Sequence, residues 1–215
     1  EFTLSTKNIK KENFSWSSDF IFSYTKNEVT ELKGRTRMME LVSGSGFARE
    51  GYPVRALFSI PFAGLNSNGM PQFNINGNIT STDINFQEAL KKDFLKYEGP
   101  TDPTITGSFG NIFSYKNFKL NVFMTYSFGN VVRLDPVFKS EYSDLDAMPK
   151  EFRNRWTVPG DEAYTNIPVI AHTRQVKDIP NLKYAYNAYN YSDVRVAKGD
   201  FIRMKEISLS YDFNP

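Results

Sequence analysis

Every second residue from Phe118 to Phe128 is apolar: Phe118, Leu120, Val122, Met124, Tyr126 and Phe128, with Lys119, Asn121, Thr125 and Ser127 in most of the places between. Side chains alternate faces along a strand, so this spacing predicts one apolar and one mainly polar face. Ile105–Tyr115 repeats the pattern, with Ile105, Phe109, Phe113 and Tyr115 set against Thr106, Ser108 and Ser114. Only Lys116 and Asn117 lie between the two runs, which predicts an antiparallel hairpin. Each run covers eleven positions, longer than the about 5–6 residues of an ordinary soluble strand. A tilted strand crossing a bilayer needs about 9–11. Aromatics crowd the ends, with Tyr115 and Phe118 at the tight turn and Tyr126 and Phe128 at the other, as the two interfaces of a membrane barrel select.

The same reading extends along the chain. Phe2 and Leu4 open a run that ends near Ile9, and Lys10 to Asn13 form a polar turn. Phe14, Trp16, Phe20, Phe22 and Tyr24 then alternate with Ser15, Ser17, Asp19 and Ser23. Residues 26–51 read as a Gly-rich, charged loop. Val54 to Phe62 is a weaker strand interrupted by Pro61, Gly64 to Pro71 a turn with Asn68-Gly69 at its tip, and Gln72 to Asn76 the return. Residues 78–103 form a second loop, with a short surface helix expected from Asp83 to Leu95, capped by Thr82 or Asp83 and carrying Phe86, Leu90 and Phe94 on one side. The longest connection runs from Gly129 to Asp200, and its aromatic content argues against disorder. The last strand, Phe201 to Phe213, sets Ile207, Leu209, Tyr211 and Phe213 against Glu206, Ser208, Ser210 and Asp212. Arg203 and Lys205 share the apolar parity, which is costly at mid-membrane, so they are expected above the lipid near the loop. Seven strands result. Short turns follow the first, third and fifth and long loops the others, so the odd strands are expected to run toward the periplasm.

Aromatics make up 15% of the chain while mean hydropathy is −0.46, a pairing that fits a wall with one greasy and one wet face. Charges of both signs are scattered to a net +2, which offers no basic stripe for nucleic acid. With no cysteine, neither a disulfide framework nor a thiolate metal site is available. No apolar run approaches the about 18 residues of a membrane helix, and the first residues lack the regions of a signal peptide. The opening looks like the middle of a strand, and the sequence is expected to be a segment of a longer polypeptide.

Candidate chemistry is sparse. His172 is the single histidine and has no cysteine nearby. Asp161-Glu162 reads as a solvated turn, because adjacent loop carboxylates seldom face one another. Gly44, Gly46 and Gly51 do not lead a strand into a helix, so a phosphate-binding reading fails. No catalytic residue, metal site or cofactor is expected. Trp156, Tyr184, Tyr186, Tyr189 and Tyr191 are the candidates for loop contacts to substrate or a partner, since such rings join an apolar plate to a polar tip; packing within the loop is the equal alternative for the tyrosines. Ser15, Ser17, Asp19, Asn121, Thr125, Ser208 and Ser210 are expected to face the interior of a barrel.

A series of phrases carries a family resemblance: Asn8-Ile9-Lys10 leading to Phe14-Ser15-Trp16 and Phe22-Ser23-Tyr24; Gly51-Tyr52-Pro53 before Phe62-Ala63-Gly64-Leu65; Thr101-Asp102-Pro103 with Gly107; Tyr115 and Phe118 followed by Tyr126-Ser127-Phe128-Gly129; Arg155-Trp156-Thr157 with Pro159-Gly160-Asp161-Glu162; Tyr191-Ser192-Asp193; and Phe201-Ile202-Arg203 with Ile207-Ser208-Leu209-Ser210-Tyr211. In this order, over essentially all 215 residues, the chain resembles the C-terminal part of a SusC/RagA-type TonB-dependent outer-membrane transporter of Bacteroidetes. The resemblance implies an all-β fold: an antiparallel transmembrane β-barrel segment of seven strands, numbers fourteen to twenty of a barrel of about 22, with long extracellular loops. It implies that residues 1–215 are part of the receptor's barrel domain, without plug, N-terminal strands or final strands. The partners implied are a SusD-like surface lipoprotein, the TonB complex acting through the missing N-terminal part, outer-membrane lipid, and an oligosaccharide or peptide substrate. The competing expectation is a soluble extracellular β-sandwich that binds glycans, in which the Phe14, Trp16, Phe20, Phe22 row would pack against a second sheet.

Overall fold

The computed structural model describes residues 1–87, 93–138, 149–170 and 173–213. In chain order its elements are β1 (Phe2–Lys10), β2 (Phe14–Tyr24), α1 (Met38–Val42), β3 (Ala56–Ser59), β4 (Phe62–Leu65), β5 (Pro71–Ile75), β6 (Asn78–Thr80), β7 (Lys96–Pro100), β8 (Ile105–Tyr115), β9 (Phe118–Phe128), β10 (Val131–Arg133), α2 (Thr173–Asp178), α3 (Leu182–Asn190), β11 (Val196–Lys198) and β12 (Phe201–Tyr211). They fall into two compact units, one made of residues 1–27, 102–130 and from 198 onward, the other of 28–101 and 131–197.

The first unit is one antiparallel sheet in the order β1-β2-β8-β9-β12. The alternating runs of the sequence form these strands, and β2, β8 and β9 begin and end where the pattern does. Five strands stand here where the sequence predicts seven, because the expected third and fourth are absent from this sheet. The Val54 to Phe62 run breaks at Pro61 into β3 and β4, which pair with β7 and β5 in the other unit. All four residues of β3 are buried, and a strand with no wet face belongs in a core rather than in a two-faced wall. The alternation of connections survives: short turns follow β1 and β8, long ones follow β2 and β9.

Two β-bulges correct the parity of the edge strands. In β1, Phe2 and Leu4 sit at even positions but the next apolar residue, Ile9, is odd; the ladder shifts between Lys7 and Ile9, so Ile9 pairs with Trp16 on the apolar face. In β12, Met204 pairs with Met124 and Ile207 with Val122, with Lys205 as the extra residue between them. A bulge moves one residue out of register and switches faces beyond it. Arg203 therefore pairs with Thr125 on the polar face, a correction to the placement expected from simple alternation.

The second unit is built by both long connections together. Met38, Leu41 and Val42 of α1, Phe58, Ile60 and Phe73 from 28–101, and Phe138, Phe152, Leu182, Ala185, Tyr186 and Tyr189 from 131–197 share one core. Leu182, Ala185, Tyr186 and Tyr189 follow the i, i+3, i+4, i+7 spacing of a buried helical face. A buried guanidinium ties the segments: Arg133 donates to the carbonyls of Ser192 (2.6 Å), Phe58 (2.7 Å) and Val42 (3.2 Å) and to Ser59 Oγ (3.1 Å). Burial lowers its pKa to about 10. Lys96 Nζ meets Asp193 Oδ2 at 3.1 Å, the main cause of its raised pKa. Of the helix expected from Asp83 to Leu95, residues 88–92, Leu90 among them, lie outside the described residues. Ile84 and Phe86 before them are core residues outside any helix.

Candidate functional site

The ladder of the long sheet sorts its side chains into two faces. On one, direct pairing lines up Phe14, Tyr115, Phe118 and Tyr211 at the short-turn end. The next row holds Trp16, Phe113, Leu120 and Leu209; further along stand Phe20, Phe109, Met124 and Met204, then Phe22, Gly107, Tyr126 and Ile202, and finally Tyr24, Ile105 and Phe128. Aromatic rings thus mark both ends, and between them the aliphatic side chains of β9 and β12 stand beside further rings of β2 and β8. Phe14 and Tyr24 are ten positions apart, about 33 Å along a strand and about 25 Å in height at a tilt of ~40°, the height of a barrel's apolar band. The face is open on an inner strand: Phe109 of β8 is 36% exposed and Tyr115 55%. Among the described residues none of this face belongs to the hydrophobic core cluster, and this unit contains one sheet, with no second one for the Phe14, Trp16, Phe20, Phe22 row to face as a sandwich requires.

One polar row interrupts this face. Thr6, Ser18 and Asn111 pair directly across β1, β2 and β8. Polar groups facing hydrocarbon must find partners within the protein. Asn111 Oδ1 accepts from Trp16 Nε1 at 2.9 Å and Ser18 Oγ at 2.8 Å, Ser18 Oγ accepts from Asn8 Nδ2 at 2.7 Å, and Thr6 Oγ1 donates to Asn8 Oδ1 at 2.9 Å. The bulge at Asn8 supplies the link. Sequence reasoning missed this network, although Ser18 and Asn111 at apolar-parity positions were its visible sign.

The opposite face gathers all seven residues expected to line an interior. Ser15 shares a row with Ser114, Lys119 and Ser210; Ser17 with Ile112, Asn121 and Ser208; Asp19 with Gly110, Phe123 and Glu206; Thr125 with Ile21, Ser108 and Arg203. This face mixes hydroxyls with the charges of Asp19, Lys119, Arg203 and Glu206 and the apolar Ile21, Ile112 and Phe123, a mainly polar surface that can line a wet passage.

The loop aromatics divide. Tyr186 and Tyr189 are buried in the core, with Tyr189 only 2% exposed, and burial pushes the Tyr189 phenol up to about 12. Trp156 is also buried and Tyr191 packs against the core, so Tyr184, 41% exposed, is the exposed member of the group, with Lys183 Nζ over its ring at 5.2 Å from the centroid. The helical spacing of α3, legible in Leu182, Ala185, Tyr186 and Tyr189, was the signal that these rings look inward. Asp161 and Glu162 serve a turn, as expected. Asp161 accepts from Thr157 N (2.9 Å), Thr157 Oγ1 (2.8 Å) and Val158 N (3.1 Å), and Glu162 accepts from Trp156 Nε1 (2.9 Å) and Gly160 N (2.8 Å). These bonds, from the Thr157 backbone above all for Asp161 and from the Trp156 indole for Glu162, hold both carboxyls below their usual range. His172 lies outside the described residues. Among the described residues no group of three His, Asp or Glu side chains could hold a metal.

No family model matches the chain. Over its whole length it is 26% identical to the TonB-dependent receptor P39 of Formosa agariphila, and over 99% of it 26% identical to the TonB-dependent receptor P26 of the same organism. It spans 24% and 21% of those two proteins, about a quarter of their length. Among solved structures, the RagAB peptide transporter matches 97% of this chain with a TM-score of 0.67 at 20% identity, over 22% of its own chain. The RagAB peptide importer in the closed-closed state gives 0.66 at 18% identity. The open five-stranded sheet with its two long insertions therefore has the fold of a segment of a RagA-type barrel transporter, and the resemblance read from the sequence stands.

Proposed function

We propose that this chain, similar along its whole length to TonB-dependent receptors, is part of the barrel wall of a SusC/RagA-type importer in a bacterial outer membrane. The observation that carries the reading is the uncovered apolar face with aromatic rows at both ends. It faces lipid, and the hydroxyl-lined face turns to the lumen, where Ser15, Ser17, Asp19, Asn121, Thr125, Ser208 and Ser210 line the route or brace the plug. The wall is the fixed frame; TonB, acting on the plug, supplies the gated step. The cargo is an oligopeptide, in keeping with the RagAB peptide transporter whose fold the chain resembles, captured beneath a SusD-like lipoprotein lid, and the long connections 28–101 and 131–197 belong to the extracellular side that captures it. An oligosaccharide cargo is the outcome that would correct this last step.

Because this stretch has no cysteine, single cysteines carrying spin labels at Leu209, Phe20 and Val122, against Ser208, Ser17 and Asn121, test the orientation in the full-length protein reconstituted in bilayers. The first set should be relaxed by oxygen and shielded from a water-soluble nickel chelate, and the second set the reverse. Equal access of the chelate to both sets would overturn the proposal.

A further inference from the structure

Glu98 is the residue that the β3–β7 ladder leaves over. Leu57 pairs with Gly99 and Phe58 with Tyr97, so Glu98 stands between them unpaired, and a bulge of this kind re-aims its extra side chain. Here the carboxylate turns inward: the side chain is 12% exposed, and Oε1 is buried without a hydrogen bond. Lys96 Nζ stands 3.6 Å away, beyond hydrogen-bond reach, and is engaged at 3.1 Å by Asp193.

This carboxylate lies where the two long connections of the second unit are joined. Facing it are Ser59 on β3, Lys96 on its own strand, Arg133 on β10 and Asp193 on the helical turn Asp193–Arg195. Arg133 reaches from 131–197 to the carbonyls of Val42 and Phe58 in 28–101. Asp193 Oδ1 accepts from Phe62 N at 3.1 Å, and the Asp193 N–H donates to Ile60 O at 3.2 Å. A buried carboxylate oxygen without a donor is costly as an anion and far less so as an acid. Burial accordingly raises the Glu98 carboxyl above its ordinary 4.5, with Asp193 adding to the effect and Lys96 and Ser59 opposing it. A carboxyl raised in this way favours the folded form as pH falls. Its contribution is fully present below about 4.5 and is lost as pH rises through the folded value.

We propose that Glu98 is a proton-operated clamp: as an anion it leaves the junction of β3, β7 and β10 loose, and a proton taken from solvent at Oε1 tightens it. Mild acid therefore stiffens the joined connections. Arg133, with its pKa at about 10, and Lys96, raised above 10.5, stay cationic throughout.

Hydrogen exchange of the full-length protein in detergent tests the clamp, read on peptides covering Ala56–Ser59 and Lys96–Pro100 from about pH 8 to about pH 5. Glu98→Gln mimics the protonated acid, and intrinsic exchange rates cancel when the two proteins are compared at each pH. The unaltered protein should exchange severalfold faster than Glu98→Gln at the upper end. The ratio should fall toward one at the lower end, by no more than the about tenfold per pH unit that one proton allows. Lys96→Met removes a cation that opposes protonation and should move the transition to higher pH. Should Glu98→Gln lose heat-modifiable migration, the same peptides measured relative to those of β9, in the unaltered protein and in Lys96→Met, give the transition directly. Exchange that keeps a constant ratio across the range, or a transition that Lys96→Met leaves in place, would overturn the clamp.

Discussion

The ring of Tyr126 lies across Gly107, and its hydroxyl donates to the Ile21 carbonyl one strand further on at 2.8 Å. A Cβ on residue 107 would fall 2.3 Å from that hydroxyl oxygen and 2.0 Å from the Ile21 oxygen. The ring continues into stacks with Phe20 (6.2 Å) and Phe128 (5.6 Å), so one glycine lets an aromatic side chain bridge three strands on the apolar face.

Gly107→Ala should destabilise the barrel by about 1–3 kcal/mol, the usual cost of forcing atoms into a packed site. Tyr126→Phe keeps the ring and loses one hydrogen bond, about 1 kcal/mol. Heat-modifiable migration of the full-length protein should show the compact form lost at lower temperature in both variants, with the alanine variant the worse. A reversed order would mean that the hydroxyl, not the close approach, fixes the bridge.

Arginine scanning should separate neighbours. Ile207→Arg places a cation in the middle row of the apolar face, opposite Val122, and should cost about 2–4 kcal/mol at mid-membrane, whereas Ser208→Arg, one residue away on the polar face, should be nearly neutral for folding. Denaturant titration in lipid vesicles measures both. Equal penalties would be incompatible with a two-faced wall.

The contact between Trp156 and Gly69 is equally exacting. Gly69 has φ +72° and no room for a methyl group against the indole, so Gly69→Ala combines backbone strain with overpacking and should cost about 2–4 kcal/mol locally. Limited proteolysis of the loop unit should accelerate, while heat-modifiable migration stays as in the unaltered protein.

Acid should loosen the turn held by Asp161 and Glu162. The Asp161 and Glu162 carboxyls are held below their ordinary values of 3.8 and 4.5, so their contribution is fully present above those values and is lost as pH falls through the lower folded ones. The emission attributable to Trp156, taken as the difference from Trp156→Phe, should shift only below this range. Asp161→Asn should weaken the turn already at neutral pH.

What the sequence by itself determined is everything that depends on neighbours in the chain. Alternation places one face of β2, β8, β9 and most of β12 against the other because the strand period is local; the bulges in β1 and β12, and with them the face of Arg203, came only with the pairing. Tertiary structure decided which segment pairs with which. Ala56–Ser59 reads as a strand in either unit, and only the core around Phe58 and Tyr189 draws it to β7. Tyr186 and Tyr189 read equally as contact rings or as loop packing until α3 turns them onto Phe138. Ser18 and Asn111 read as breaks in an apolar row until the register sets their side chains within hydrogen-bond reach. Burial and partner choice depend on contacts far apart in sequence, which no local period encodes.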